Sequence, residues 1–271
     1  MRWTGRTAAW LLSTTLITVS AAMAQSANSL RTSSPGSPLS LEEVIRKVQQ
    51  KNHERAEALR QFQSTRIYRL KYLGFPGDRD AEMVVNVSYQ SPGKKEFSIV
   101  SQTGSKFILN HVFRKLLEGE QEAAENGNEH RTALSPDNYE FRMDSYAVSP
   151  AGGEYVLEVT PKSDNKFLYR GKIWVDAKDF AVTQIKAEPA KNPSFWIKKT
   201  EIEHRYEKVD GFWLPLENHS ESVIRLGGRA TLTIEYKDYK VVATHPLDEL
   251  PKGDEKPLLG RIPPPSSSSQ Q

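Results

Sequence analysis

The stretch "YRGKIWVDAKDFAVTQI", Tyr169 to Ile185, sets two carboxylates, Asp176 and Asp179, three residues apart between two strand-like runs. Carboxylates so close could share a proton or hold a metal ion. The flanking residues argue for another role. Asp176-Ala177-Lys178-Asp179 joins Phe167–Val175 to Ala181–Ala187, and a four-residue hairpin loop is commonly built on a type I turn whose first Asp accepts from the backbone further on. Asp176 then has a structural job. Asp179 is expected at the turn exit, exposed to solvent and in no need of a metal.

The six histidines, His53, His111, His130, His204, His219 and His245, are scattered, and only His204 and His219 approach each other. With a turn centred on Asp210-Gly211, His204 faces Glu217 and His219 faces Ile202, one diagonal step apart. Structural histidines account for this pair better than a metal site. No G-x-S-x-G elbow, H-E-x-x-H, Walker loop or G-x-G-x-x-G occurs. The absence of cysteine excludes thiol chemistry and cysteine-ligated zinc. The chain reads as a non-enzyme, with no catalytic residue, no metal and no cofactor expected.

The two ends narrow the location. Arg2 and Arg6 precede the apolar run "AAWLLSTTLITVSAA", and Ala22-Met23-Ala24 places small residues where a signal peptidase reads them. Residues 1–24 are expected to be a secretory signal cleaved after Ala24, too short and Thr-diluted to span a bilayer. With no cysteine to acylate, the product is a soluble exported protein, periplasmic in a two-membrane bacterium. Losing Arg2 and Arg6 takes the net charge from +3 to +1, which gives no electrostatic case for nucleic acid. Residues 25–38 read as a Ser/Pro-rich linker and residues 251–271 as a disordered Pro/Ser-rich tail, leaving 39–250 for one domain without disulfides.

Within that domain the periodicities are clear. "SLEEVIRKVQQKNHERAEALRQF" is expected to be a helix, with Ser40 as N-cap, Glu43 completing a capping box, and Leu41, Val44, Ile45, Val48, Ala56 and Leu59 as its apolar stripe. Three strands follow around Tyr68, Val85 and Phe97, separated by Pro/Gly turns. "KFILNHVFRKLLEGEQEAAENG" returns to helical spacing through Ile108, Val112 and Leu116, with Phe113 and Leu117 in an adjacent row. From Asp137 onward seven strands are expected, from Tyr139–Val148 to Arg229–Val241.

The strands alternate. Tyr68, Leu70 and Tyr72 face away from Arg69 and Lys71. Trp196, Thr200, Ile202, His204 and Tyr206 oppose Lys199, Glu201, Glu203, Arg205 and Glu207. Ten strands with one apolar face and only two helical segments to cover it imply a mainly β (α+β) fold. The expected form is a strongly curved antiparallel sheet, an incomplete β-barrel covered by the N-terminal helix and the mid-chain helical segment.

Gly171, Ile173-Trp174-Val175-Asp176, Phe180, Val182 and Ile185, with Gly211-Phe212-Trp213-Leu214-Pro215, carry a family resemblance. The chain resembles the LolA/LolB-like superfamily of outer-membrane lipoprotein-sorting proteins over about Leu41 to Val242. That resemblance implies a half-barrel carrier that holds acyl chains of lipoproteins or another lipid in an apolar cavity. It implies lid helices that move, membrane-bound donor and acceptor proteins as partners, and a monomer. The cavity candidates are Tyr68, Leu70, Met83, Val85, Val87, Val112, Phe113, Leu116, Tyr155, Leu157, Trp196, Ile202, Tyr206, Leu232, Ile234 and Tyr236. The family's lid-holding arginine has two candidates on the first strand, Arg66 and Arg69. The alternatives are an RseB-like envelope-stress sensor and a structural or interaction module whose barrel is filled.

Overall fold

The computed structural model describes residues 38–91, 94–125, 132–149, 152–165, 167–192, 195–225 and 227–243. The signal segment, the C-terminal tail and all of the linker except residue 38 lie outside them. Helix α1 (Leu41–Ala58) opens the fold with the expected capping box: Glu43 N–H donates to Ser40 Oγ and Ser40 N–H to Glu43 Oε2. Val44, Val48 and Ala56 form its buried stripe. The helix stops at Ala58 rather than running to Phe62. Leu59 and Phe62 are buried and already belong to β1 (Leu59–Leu73), with Phe62 stacked on Tyr89 at 5.1 Å. A packing partner across the sheet outweighs helix propensity there.

β2 (Arg79–Gln90) and β3 (Lys94–Gly104) complete the first meander. Helix α2 follows, as Lys106–Ile108, a π-helical turn at Leu109–Phe113 and Arg114–Glu125. Gly119 does not divide it. The seven later strands are β4 (Tyr139–Ser149), β5 (Gly152–Pro161), β6 (Tyr169–Asp176), β7 (Val182–Pro189), β8 (Ile197–Val209), β9 (Phe212–Ile224) and β10 (Arg229–Ala243).

All ten strands lie in one antiparallel sheet, ordered β3-β2-β1-β10-β9-β8-β7-β6-β5-β4. The first strand pairs with the last, joining the two meanders. β3 and β4 remain as open edges, and α2 leaves one edge while the chain returns at the other. Cross-strand partners share a face, so the register traces a row across the concave side: Met83, Tyr68, Ile234, Asn218, His204, Ile185, Ile173, Leu157 and Met143. The convex side carries charges, among them Arg69 with Glu82 and Glu235, and Arg205 with Glu217.

The β8–β9 hairpin turns at Asp210-Gly211 as expected, both at positive φ as a two-residue type I′ turn requires. Near the turn Val209 faces Phe212 and Tyr206 faces Pro215; beyond it Arg205 faces Glu217. Leu216 is therefore an extra residue, a bulge next to Pro215, which has no N–H for the ladder. That one-residue slip puts His204 opposite Asn218 and His219 opposite Glu203, not opposite Glu217 and Ile202. His204 points into the concave side, and His219 lies against Thr233 and Glu221 on the convex side. The two histidines cannot share a ligand.

Candidate functional site

The space enclosed by the sheet is covered by two helices over separate apolar clusters. Over β1, β2 and β10, α2 buries Ile108, Leu109, Phe113, Leu116 and Leu117 against Tyr68, Leu70, Met83, Val85, Val87, Ile234 and Tyr236, with Val112 and Leu232 packed beside them. Over β4 to β8, α1 sets Val44 and Val48 against Tyr155, Leu157, Ile173 and Ile202, with Tyr206 at the margin. Fifteen of the sixteen cavity candidates thus face the interior, in two groups. Trp196 does not: it precedes β8, is 41% exposed and packs edge-on against Phe195. β8 begins only at Ile197, so the alternation that groups Trp196 with Thr200 does not reach it.

Phe113, Tyr68 and Val85 have no exposed surface, so α2 fills the space it covers. Between the two clusters the concave wall turns polar. Thr200 and Ser222 hydroxyls meet at 2.8 Å, and Asn218 Nδ2 donates to Tyr236 Oη at 2.9 Å. His204, half-buried beside uncharged Ile185 and Asn218, has its pKa lowered by burial to about 4, so the ring is neutral near pH 7.

The decisive polar feature lies beneath α2. Arg66 on β1 donates to Glu120 Oε2 at 2.8 Å, and Lys95 on β3 to Glu120 Oε1 at 2.9 Å. All three side chains are 5% exposed or less. The Arg66 guanidinium also lies 5.0 Å from the Tyr236 ring centroid, and its Nε has no hydrogen-bond partner among the described residues. Burial alone would raise the Glu120 pKa, but Arg66 and Lys95 bring it below the ordinary glutamate value. Burial lowers that of Lys95, and Arg66 adds to the effect. Burial pushes Tyr68 up to about 12, so it stays neutral beside Arg66.

Of the two arginine candidates, therefore, Arg66 reaches the covering helix. Arg69 is on the convex side, 44% exposed and paired with Glu82 and Glu235. The sequence held the signal: Arg66 sits in phase with inward Tyr68 and Leu70, and Lys95 with inward Phe97. Glu120 follows Phe113 by seven residues and Leu116 by four, on the same helical face. Lys95 and Glu120 escape a search for paired catalytic groups because they come from different elements.

The opening motif is resolved as a corner. Asp176 Oδ1 accepts from the N–H groups of Lys178 and Asp179 at 2.9 and 2.6 Å, as a type I turn predicts. Asp179, expected in solvent, is not there. Its carboxylate accepts from Trp213 Nε1 at 2.8 Å and Lys208 Nζ at 3.0 Å, and its carbonyl accepts from Arg55 near the end of α1. The residue joins three elements. Among the described residues, no group of three or more His, Asp and Glu side chains is placed to hold a metal.

No family model matches the sequence. No curated protein matches it. Among solved structures, the chain is similar to a DUF1329 family protein from Desulfovibrio piger, with 13% identity over 74% of this chain and 92% of that one, at a TM-score of 0.37. It is also similar to a putative outer membrane lipoprotein-sorting protein domain from Vibrio parahaemolyticus, with 10% identity over 74% and 92% and a TM-score of 0.36. A LolA superfamily protein from Nitrosomonas europaea has 11% identity over 76% and 94%, with a TM-score of 0.33.

Proposed function

We propose that this chain is an exported, periplasmic carrier that holds acyl chains of lipoproteins or another lipid on the concave side of its sheet, after α2 swings out. The observation that carries the reading is the Arg66–Glu120–Lys95 cluster, which ties the otherwise apolar inner face of α2 to the sheet through buried charge. A buried ion pair contributes little net stability, because desolvation offsets the attraction. It does fix one closed position, and it opens onto an apolar wall. Binding needs no chemistry on the ligand, so no catalytic group is required.

The magnitudes favour long chains. Withdrawing Ile108, Leu109, Phe113, Leu116 and Leu117 exposes five side chains at about 2 kcal/mol each, an upper bound of about 10 kcal/mol. At about 0.8 kcal/mol per buried methylene, about a dozen methylenes are needed to offset it. A palmitoyl probe is expected to be taken up and an octanoyl probe to be refused. Phe113→Glu is expected to abolish palmitoyl uptake while the far-ultraviolet circular dichroism of the sheet persists. Failure of the unmodified protein to take up palmitoyl, or undiminished uptake by Phe113→Glu, defeats the reading.

The complete burial of Phe113 and Tyr68 favours a second reading, an interaction module with a permanently filled interior. The two differ in whether α2 leaves the sheet without global unfolding.

A further inference from the structure

Among the described residues, every Phe or Trp more than about a third exposed lies at one end of the sheet. Phe75 is 77% exposed, Phe195 74%, Phe107 51% and Trp196 41%. They come from the β1–β2 turn, the start of α2 and the β7–β8 connection, which the register brings to the same end as the β9–β10 turn. Contacts join them into one rim. The Tyr72 hydroxyl is 2.5 Å from the Phe75 carbonyl oxygen and 3.2 Å from that of Gly227. Arg225 N–H donates to the Trp196 carbonyl at 2.8 Å, and its guanidinium lies 5.0 Å from the Phe195 ring centroid. Arg79, paired with Tyr72 across the strands, lies 5.9 Å from the Phe107 ring centroid.

The charge of this rim has a sign. Residues 73–80, 105–107, 190–196 and 224–229 contain five basic side chains and two acidic ones. Of the acidic pair, Asp78 is committed to its own turn, accepting from Gly74 N–H at 3.0 Å. Exposed Phe and Trp backed by arginine is the composition that settles at a bilayer's headgroup level, where rings enter the interface and guanidinium groups meet phosphates. Phe75 and Phe195, about three-quarters exposed, turn most of their ring surface outward, where it can insert. We propose that this end of the molecule docks on an anionic bilayer, with Phe75, Phe107, Phe195 and Trp196 entering the headgroup region and Arg79, Arg225 and Arg229 pairing with lipid phosphates. The inference is independent of what the concave side binds.

The test is flotation of the exported form, beginning at Gln25, with phosphatidylcholine vesicles containing or lacking phosphatidylglycerol. Expected are binding to the anionic vesicles, weakening with salt, and a blue shift of tryptophan emission. Arg225→Gln is expected to weaken binding about fivefold and Phe75→Ser/Phe195→Ser at least tenfold, with the thermal melt of both unchanged. Equal flotation with both vesicle types, or unchanged flotation of the double variant, overturns the proposal. So does a concentration-dependent dimer, abolished by the same pair of substitutions, in the absence of flotation: the rim would then meet a second copy. Palmitoyl uptake is read separately, so failure of either reading leaves the other visible.

Discussion

Glu120 carries more consequence than its single charge implies, because two buried cations depend on it. Removing one member of a buried pair strands the others, at about 3–5 kcal/mol when nothing can relax. On the proposed reading α2 relaxes by leaving, so Glu120→Ala is expected to release the helix and cost less than that ceiling. The sign of the pH effect follows from the shift. A carboxylate held below its ordinary value of 4.5 contributes stability that is present above 4.5 and lost as pH falls through the lowered value. Acid titration of palmitoyl uptake should therefore show opening below the ordinary glutamate range in the parent and no such step in Glu120→Gln. An identical step in that variant would assign the latch elsewhere. Arg66 and Glu120 were each readable in the sequence as a charge in phase with an apolar face, but their pairing was not. A contact spanning fifty-four positions leaves no periodic trace.

At the scale of elements the two covering helices differ in how they are held. α1 has its capping box and the Leu39 N–H to Tyr155 Oη bond at 3.1 Å at one end, and Arg55 on the Asp179 carbonyl near the other. Asp179 in turn grips the β8–β9 hairpin through Trp213 and Lys208. α2 is tied at its start, where Ser105 N–H donates to the Asp80 carbonyl at 2.8 Å and Arg79 lies over the Phe107 ring, and along its length by the Glu120 cluster. Asp179→Ala leaves the Trp213 N–H without its acceptor and is expected to cost about 1–3 kcal/mol in urea unfolding, with a red-shifted Trp213 emission. A loss under about 0.5 kcal/mol would mean that the β8–β9 hairpin does not depend on this corner. The elements themselves were legible. Strand and turn periods place β4 to β10 within a few residues of where they lie, because each alternates about one buried face. What period cannot supply is the slip at Pro215, which swaps the partners of both histidines, or the third dimension that turns a hairpin corner into a helix anchor.

For the molecule as a whole, the sheet order and the placement of α2 set which part would open on the proposed reading. The central pairings β1–β10 and β8–β9 have long ladders, so the sheet is the cooperative unit. α2 lies over β1, β2, β3 and β10 and adds no strand to either edge of the sheet. Its departure breaks side-chain packing and one buried charge cluster but no ladder hydrogen bond. Local opening of that kind has a smaller free energy than global unfolding. Hydrogen exchange is expected to show the amides of residues 106–121 exchanging by a local route whose free energy lies several kcal/mol below that of β1, β9 and β10. Palmitoyl ligand should accelerate them further while leaving the strands protected, since a ligand that occupies the vacated wall shifts the population toward the open state. If α2 amides exchange only with the central strands, helix and sheet form one cooperative core. The filled interaction module is then the correct reading, and the carrier is not.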